Sequence, residues 1–130
     1  MRVPRAALGG AARTLLVFDL DGTLLDSLED LAGSVNAVRR RHRLEVLAAE
    51  VVRDHIGDGA PALVARTLPE VIATGIPLEQ LVEEFRADYR ERCVIHPRLL
   101  PGARSLLDRA RERGFTLALL SNKPVDMSLR

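Results

Sequence analysis

With 130 residues, 47% of them apolar and 28% charged, the chain is the size of one domain that buries about two-thirds of its unfolded surface. A net charge of +1 with scattered arginines excludes an acidic solvating tail and a nucleic-acid footprint, and no apolar run reaches the length of a membrane span. One cysteine, Cys93, excludes an internal disulfide framework and a Cys/His zinc spacing, so the expected setting is a reducing, cytoplasmic one with no nucleic-acid or membrane partner.

Residues 1–13, basic and rich in Ala and Gly, read as a ragged N-terminal extension rather than a transit peptide. "TLLVFDL" at 14–20 predicts a strand, parallel and buried because both faces are apolar. Ser27 then opens a helix as N-cap, with Asp30 three residues on and Leu28, Leu31, Val35 and Val38 at helical spacing, fading near His42. The cluster Arg39, Arg40, Arg41 and Arg43 falls at that helix end, where it complements the dipole.

After a link at 44–47, "AAEVVRDHIGDG" predicts a helix carrying Val51, Val52 and Ile56 and stopped by Gly57. A short helix is expected over 60–68, then a breaker-rich connection, "PEVIATGIP". A long helix follows from about Leu78 to Cys93, with Leu81, Val82, Phe85 and Tyr89 on one face. "HPRLLPG" from His96 is a return link, 103–113 a helix with Leu106, Leu107 and Ala110 ended by Gly114, and "FTLALL" a second strand leading into Ser121, Asn122, Lys123 and Pro124. The order is strand, helical insert, helix, strand.

Chemistry gathers at the strand ends. Residues two apart on an extended segment point the same way, so Asp19 and Asp21 converge just beyond the first strand's carboxyl end, where open α/β sheets bind ligands. Two neighbouring carboxylates repel unless a cation sits between them or one holds a proton, and a divalent metal with a split acid/base assignment meets both conditions. Gly22 allows a sharp turn and Thr23 offers a hydroxyl to pin it.

The string "FDLDGTLLDS" resembles the first signature motif of the haloacid dehalogenase superfamily of phosphohydrolases. "GDGAPALVARTL" at 57–68 and "LPGARSLLDRARERGFTLALLSNKP" at 100–124, with a helical insert between two strands, resemble its phosphoglycolate phosphatase branch. The resemblance implies an α/β fold: part of a Rossmann-like parallel sheet at 14–26 and 97–130 with a helical cap, 27–96, inserted. It implies Asp19 as the nucleophile that becomes an aspartyl phosphate, Asp21 as acid and base, and Mg²⁺ held by the Asp19 carboxylate and the Asp21 main-chain carbonyl. Ser121 matches the second motif, binding the phosphoryl group beside the Asn122 main-chain N–H, and Gly57, Asp58 and Gly59 match a cap loop that reaches toward substrate. Arg66 and His55 are expected on exposed or satisfied positions rather than on the substrate.

The family pattern also requires a lysine and a later carboxylate pair. Lys123, the only lysine, is read as part of the Ser121 turn, and Asp126 is the only acid after Ser121, so the chain resembles a family member truncated after its second motif. An open edge on the first strand is then expected, inviting self-association. So are cap helices better formed than the core, and hydrolysis of p-nitrophenyl phosphate barely above background. The expected activity is phosphatase action on a small phosphomonoester such as 2-phosphoglycolate, with sugar phosphates, pyrophosphate and nucleotides open. The alternatives are a non-catalytic module binding another chain and a receiver domain; a receiver has no such insert after its first strand.

Overall fold

The computed structural model describes residues 14–93 and 98–124. Expectations for residues 1–13, His96, Pro97 and Asp126 lie outside the described residues. In chain order the elements are β1 (Leu15–Phe18), β2 (Leu25–Asp26), α1 (Leu28–Arg41), α2 (Ala49–Arg53), α3 (Ala60–Thr67), α4 (Pro69–Ile72), α5 (Leu78–Arg92), β3 (Arg98–Leu99), α6 (Ala103–Glu112) and β4 (Thr116–Leu119).

β1 and β4 pair in parallel, Leu15 opposite Thr116 through Phe18 opposite Leu119. The predicted pairing sense is therefore observed. The predicted burial is not: Leu15 and Val17 are each 54% exposed, since among the described residues no element covers that face. Leu119 and Leu120 are exposed as well. The side chains turned inward, Phe18, Leu20 and Leu24, pack with Ala103 and Leu107 of α6.

A second and larger apolar cluster lies wholly within α1 to α5. Leu31, Val35 and Val38 of α1 and Leu63 and Val64 of α3 close around Leu81, Val82 and Phe85 of α5, with Val52, Leu68 and Val71 filling the ends. The largest fully buried side chains all belong to this helical layer. At about 1.5–3 kcal/mol for each buried aliphatic or aromatic side chain, most of the hydrophobic stabilisation resides there. The expected imbalance between cap and core is thus visible in the burial.

Several local expectations are corrected. Ser27 starts α1 through its carbonyl, which accepts from the Leu31 N–H at 3.0 Å, but its hydroxyl makes no cap bond. A ψ of 7° takes it out of the extended conformation that lets an N-cap oxygen reach back. α2 ends at Arg53, four residues before Gly57, because the chain tightens into three-residue turns, His55 N–H to Val52 O and Ile56 N–H to Arg53 O. Val51, predicted on its apolar face, is exposed.

The "PEVIATGIP" connection contains a helical turn, α4, because Pro69 sits at the first helical position, where its missing N–H costs nothing. Part of the return link is β3, paired antiparallel with β2, Leu25 opposite Leu99. Two-residue strands carry no periodicity to read. Arg39 is the largest surprise: 5% exposed, it is a buried clamp between segments rather than one of a solvated basic cluster. No helix among the described residues is long and apolar enough to cross a membrane.

Candidate active site

The Leu20 carbonyl organises the turn after β1. It accepts from the N–H groups of Thr23, Leu24 and Leu25 at 3.2, 2.9 and 3.0 Å, while the Gly22 N–H donates to Leu25 O at 2.9 Å. Gly22 has φ +78°, a conformation other residues adopt only with strain. The bonds closing the turn come from the main chain and not from the Thr23 hydroxyl, contrary to expectation. Burying Leu20 and turning the chain beneath it leaves Asp19 and Asp21 projecting to one side, and both line a single cavity.

The second strand delivers its residues to the same place. The Leu120 N–H donates to Phe18 O at 2.8 Å, extending the parallel ladder one step, so the carboxyl ends of β1 and β4 coincide. Ser121, Asn122 and Lys123 enter the cavity wall there. Ser121 Oγ accepts from the Lys123 N–H at 3.1 Å, which leaves its own proton available to an anion. Asp19 Oδ1 accepts from the Leu20 N–H at 2.7 Å.

Lys123 is the functional candidate that sequence reasoning missed. Its side chain is 5% exposed, and Nζ lies 3.5 Å from Asp21 Oδ1 and 2.9 Å from the Tyr89 hydroxyl, to which it donates. The ammonium also sits 4.9 Å from the Tyr89 ring centre, in cation–π range. Asp21 Oδ1 is buried without a hydrogen bond, so the lysine compensates it as a charge at slightly longer range. The missed signal was in plain view: a lone lysine in an arginine-rich chain, two residues after a strand end.

The helical layer forms the opposite wall through Leu31, Ile56, Leu63, Phe85, Arg86 and Tyr89. Its loop reaches the core, where Asn122 Nδ2 donates to Gly57 O at 2.9 Å. The Asn122 side chain therefore joins the two layers, a contact the sequence did not suggest. Gly57 and Gly59 line the cavity, but Asp58 turns away and pairs with Arg66 at 2.7 Å, both well exposed. His55 is half-buried and lies outside the lining.

Tyr89 stacks on Phe85 with ring centres 5.6 Å apart and is only 3% exposed. Burial, then the nearby Asp21 carboxylate, pushes its phenol far above the ordinary tyrosine value. A raised folded-state value means that Tyr89 stabilises the fold fully below about pH 10 and ceases to do so as pH rises further. Since Tyr89 is the only tyrosine and the chain has no tryptophan, alkaline titration by ultraviolet absorbance reads this one group. Tyrosinate absorbance should appear together with loss of helical circular dichroism; a phenol that ionises near pH 10 in a chain still folded would refute the buried placement.

Comparison with known proteins agrees with this architecture. A family model described as haloacid dehalogenase-like hydrolase matches residues 14–129. The chain is 39% identical over 116 residues to the phosphoglycolate phosphatase of Haemophilus influenzae strain 86-028NP, covering 85% of this chain and 52% of that protein. It is 33% identical over 114 residues to the phosphoglycolate phosphatase of Aquifex aeolicus, covering 88% and 51%. The chain spans about half the length of the curated relatives it matches. Among solved structures, a predicted phosphoglycolate phosphatase of Haemophilus somnus 129pt superimposes with a TM-score of 0.75 at 30% identity, covering 89% of this chain and 55% of that one. CbbY of Rhodobacter sphaeroides shares the fold, with a TM-score of 0.68 at 18% identity over 89% of this chain and 54% of its own.

Proposed function

The chain belongs to the haloacid dehalogenase-like hydrolase family, and from that premise we propose that it carries the nucleophile of a phosphatase site acting on a small phosphomonoester. One observation carries this reading: Asp19, Asp21, Ser121 and Lys123 line one cavity at the joint carboxyl ends of two parallel strands. The names of the relatives point to 2-phosphoglycolate as the substrate.

In the proposed reaction an Asp19 carboxylate oxygen attacks phosphorus, forming an acyl phosphate as the bond to the leaving oxygen breaks. Asp21 gives its proton to that oxygen. The Asp21 carboxylate then takes a proton from water, whose oxygen attacks phosphorus and releases inorganic phosphate with Asp19 restored. Ser121 donates to a phosphoryl oxygen and the Lys123 ammonium offsets charge developing beside Asp21. A preorganised donor of this kind is worth about 10²–10³ in rate.

The donor set also suits Mg²⁺. Asp19 offers an exposed carboxylate whose Oδ1 accepts only from the Leu20 N–H, and the Asp21 main-chain carbonyl is a second hard oxygen. Mg²⁺ commonly binds through one or two carboxylates, substrate phosphate and water. When bound there, Mg²⁺ supplies charge neutralisation to the phosphate dianion. Acid-quenching the chain with a phosphomonoester and Mg²⁺, followed by peptide mapping, should find the phosphoryl group on the peptide containing Asp19. Label on Ser121, or none at all, would overturn the assignment.

A further inference from the structure

Arg86, on α5, lines the cavity that contains Asp19 and Asp21. Its Nη1 pairs with the exposed Glu83 carboxylate at 2.9 Å, yet its Nε is buried and has no hydrogen-bond partner. The guanidinium thus straddles the cavity wall, one end satisfied at the surface and one N–H sealed without an acceptor. Buried donors are nearly always paired, so an orphan N–H on a cavity-lining residue has an acceptor to gain from a ligand once the side chain turns toward it.

The other cavity residues narrow what that acceptor is. The cap contributes Leu31, Ile56, Leu63 and Phe85, all apolar, and the Tyr89 hydroxyl, which already accepts from Lys123. Apart from Arg86, this wall offers sugar hydroxyls only the Tyr89 O–H and the main chain of Gly57 and Gly59. A planar anion would meet a guanidinium whose Nε edge suits two parallel hydrogen bonds to a carboxylate. Lys123, the other cation in the lining, is held at Asp21 and Tyr89.

We propose that Arg86 is the specificity-determining residue of this site, binding a carboxylate on the substrate, so that the chain selects phosphorylated hydroxy acids over neutral phosphomonoesters. This rests on the phosphatase reading of the same cavity. Because Arg86 projects from the helical layer and the phosphoryl-binding residues come from the strand ends, a substrate carrying both groups bridges the two layers. The Asn122–Gly57 bond holds those layers in register for it.

Isothermal titration of the full chain with Mg²⁺ tests this, using 2-phosphoglycolate and ethyl phosphate, which has a methyl in place of the carboxylate. The wild-type chain should bind 2-phosphoglycolate about 10- to 100-fold more tightly, the range expected of a charge-assisted hydrogen bond. Arg86→Gln should erase that preference by weakening 2-phosphoglycolate far more than ethyl phosphate, while Arg86→Lys, keeping the charge without the fork, should restore part of it. Equal affinity of the wild-type chain for both ligands, or a preference that survives in Arg86→Gln, would overturn the role of Arg86 and leave the phosphatase reading standing. Failure of both ligands to bind would overturn both.

Discussion

Replacing Asp19 with asparagine is expected to abolish phosphoryl transfer, with a fall of at least about 10³-fold in phosphoryl capture, because the proposed reaction runs through a covalent bond to that carboxylate. The amide keeps the shape and can still accept from the Leu20 N–H. What it lacks is the negative charge and the nucleophilic oxygen. Asp19 is exposed, so the change should leave stability within about 0.5 kcal/mol of the wild type.

Asp21→Asn should behave differently. With p-nitrophenyl phosphate the leaving group needs no proton, so attack by Asp19 proceeds and the phosphorylated chain accumulates because water is no longer activated. Acid quench at short times therefore separates the two carboxylates: no label in Asp19→Asn, persistent label in Asp21→Asn. Equal loss of label in both would show that the two act as one unit, and undiminished label in Asp19→Asn would remove it from the role of nucleophile.

Arg39→Met is expected to be the most destabilising single change in the helical layer that leaves the apolar contacts in place. Arg39 Nε donates to Glu45 O at 2.6 Å and Nη1 donates to Thr67 O, the latter a carbonyl at the C-terminal end of α3. Nη2 approaches Glu70 Oε1 at 3.4 Å. Methionine keeps the apolar stem but supplies no donor, so two partly or fully enclosed carbonyls lose their partners at about 1–3 kcal/mol each. The sum, roughly 2–6 kcal/mol, should lower the melting temperature by ~10 °C or more in thermal denaturation.

Glu70→Gln is the informative companion. The Glu70 side chain is 53% exposed, and an ion pair at that exposure is worth at most about 1 kcal/mol. Its carboxyl is held below the usual range chiefly by its own backbone N–H, which outweighs the opposing effect of burial, with Arg39 adding in the same direction. A depressed folded-state value contributes stability above the unfolded value, about pH 4.3, that is lost as pH falls through the folded one. If Glu70→Gln proved as damaging as Arg39→Met, the carbonyl clamp would be the wrong account and the ion pair the right one.

Where the sequence was legible, a physical periodicity or a special backbone requirement made it so. Leu81, Val82, Phe85 and Tyr89 repeat at helical spacing and are all buried on α5, because an amphipathic helix has one way to hide its stripe. The two apolar runs pair in parallel as expected, since the helix between them returns the chain to the same end of the sheet. Asp19 and Asp21 share a cavity because strand geometry and the Gly22 turn act within five residues.

What stayed hidden depends on contacts between distant residues. Arg39 looked like one of four arginines at a helix end, and only its position beneath Thr67 and Glu45 makes it a clamp. Nothing in the sequence singled out Arg86, and only the fold places it in the cavity wall. Lys123 looked like part of a turn, yet it meets Tyr89, 34 residues away in sequence, and Asp21 beyond it.

The amino-acid sequence by itself determined the longer helices, the two apolar strands and the identity of the two aspartates, because each follows from a pattern within a few turns or one strand. Only the tertiary structure decided which cations join those aspartates and which wall faces them. Charge and hydrogen-bond partnership act through space across a few ångströms, and a folded chain sets those distances without reference to separation along its length.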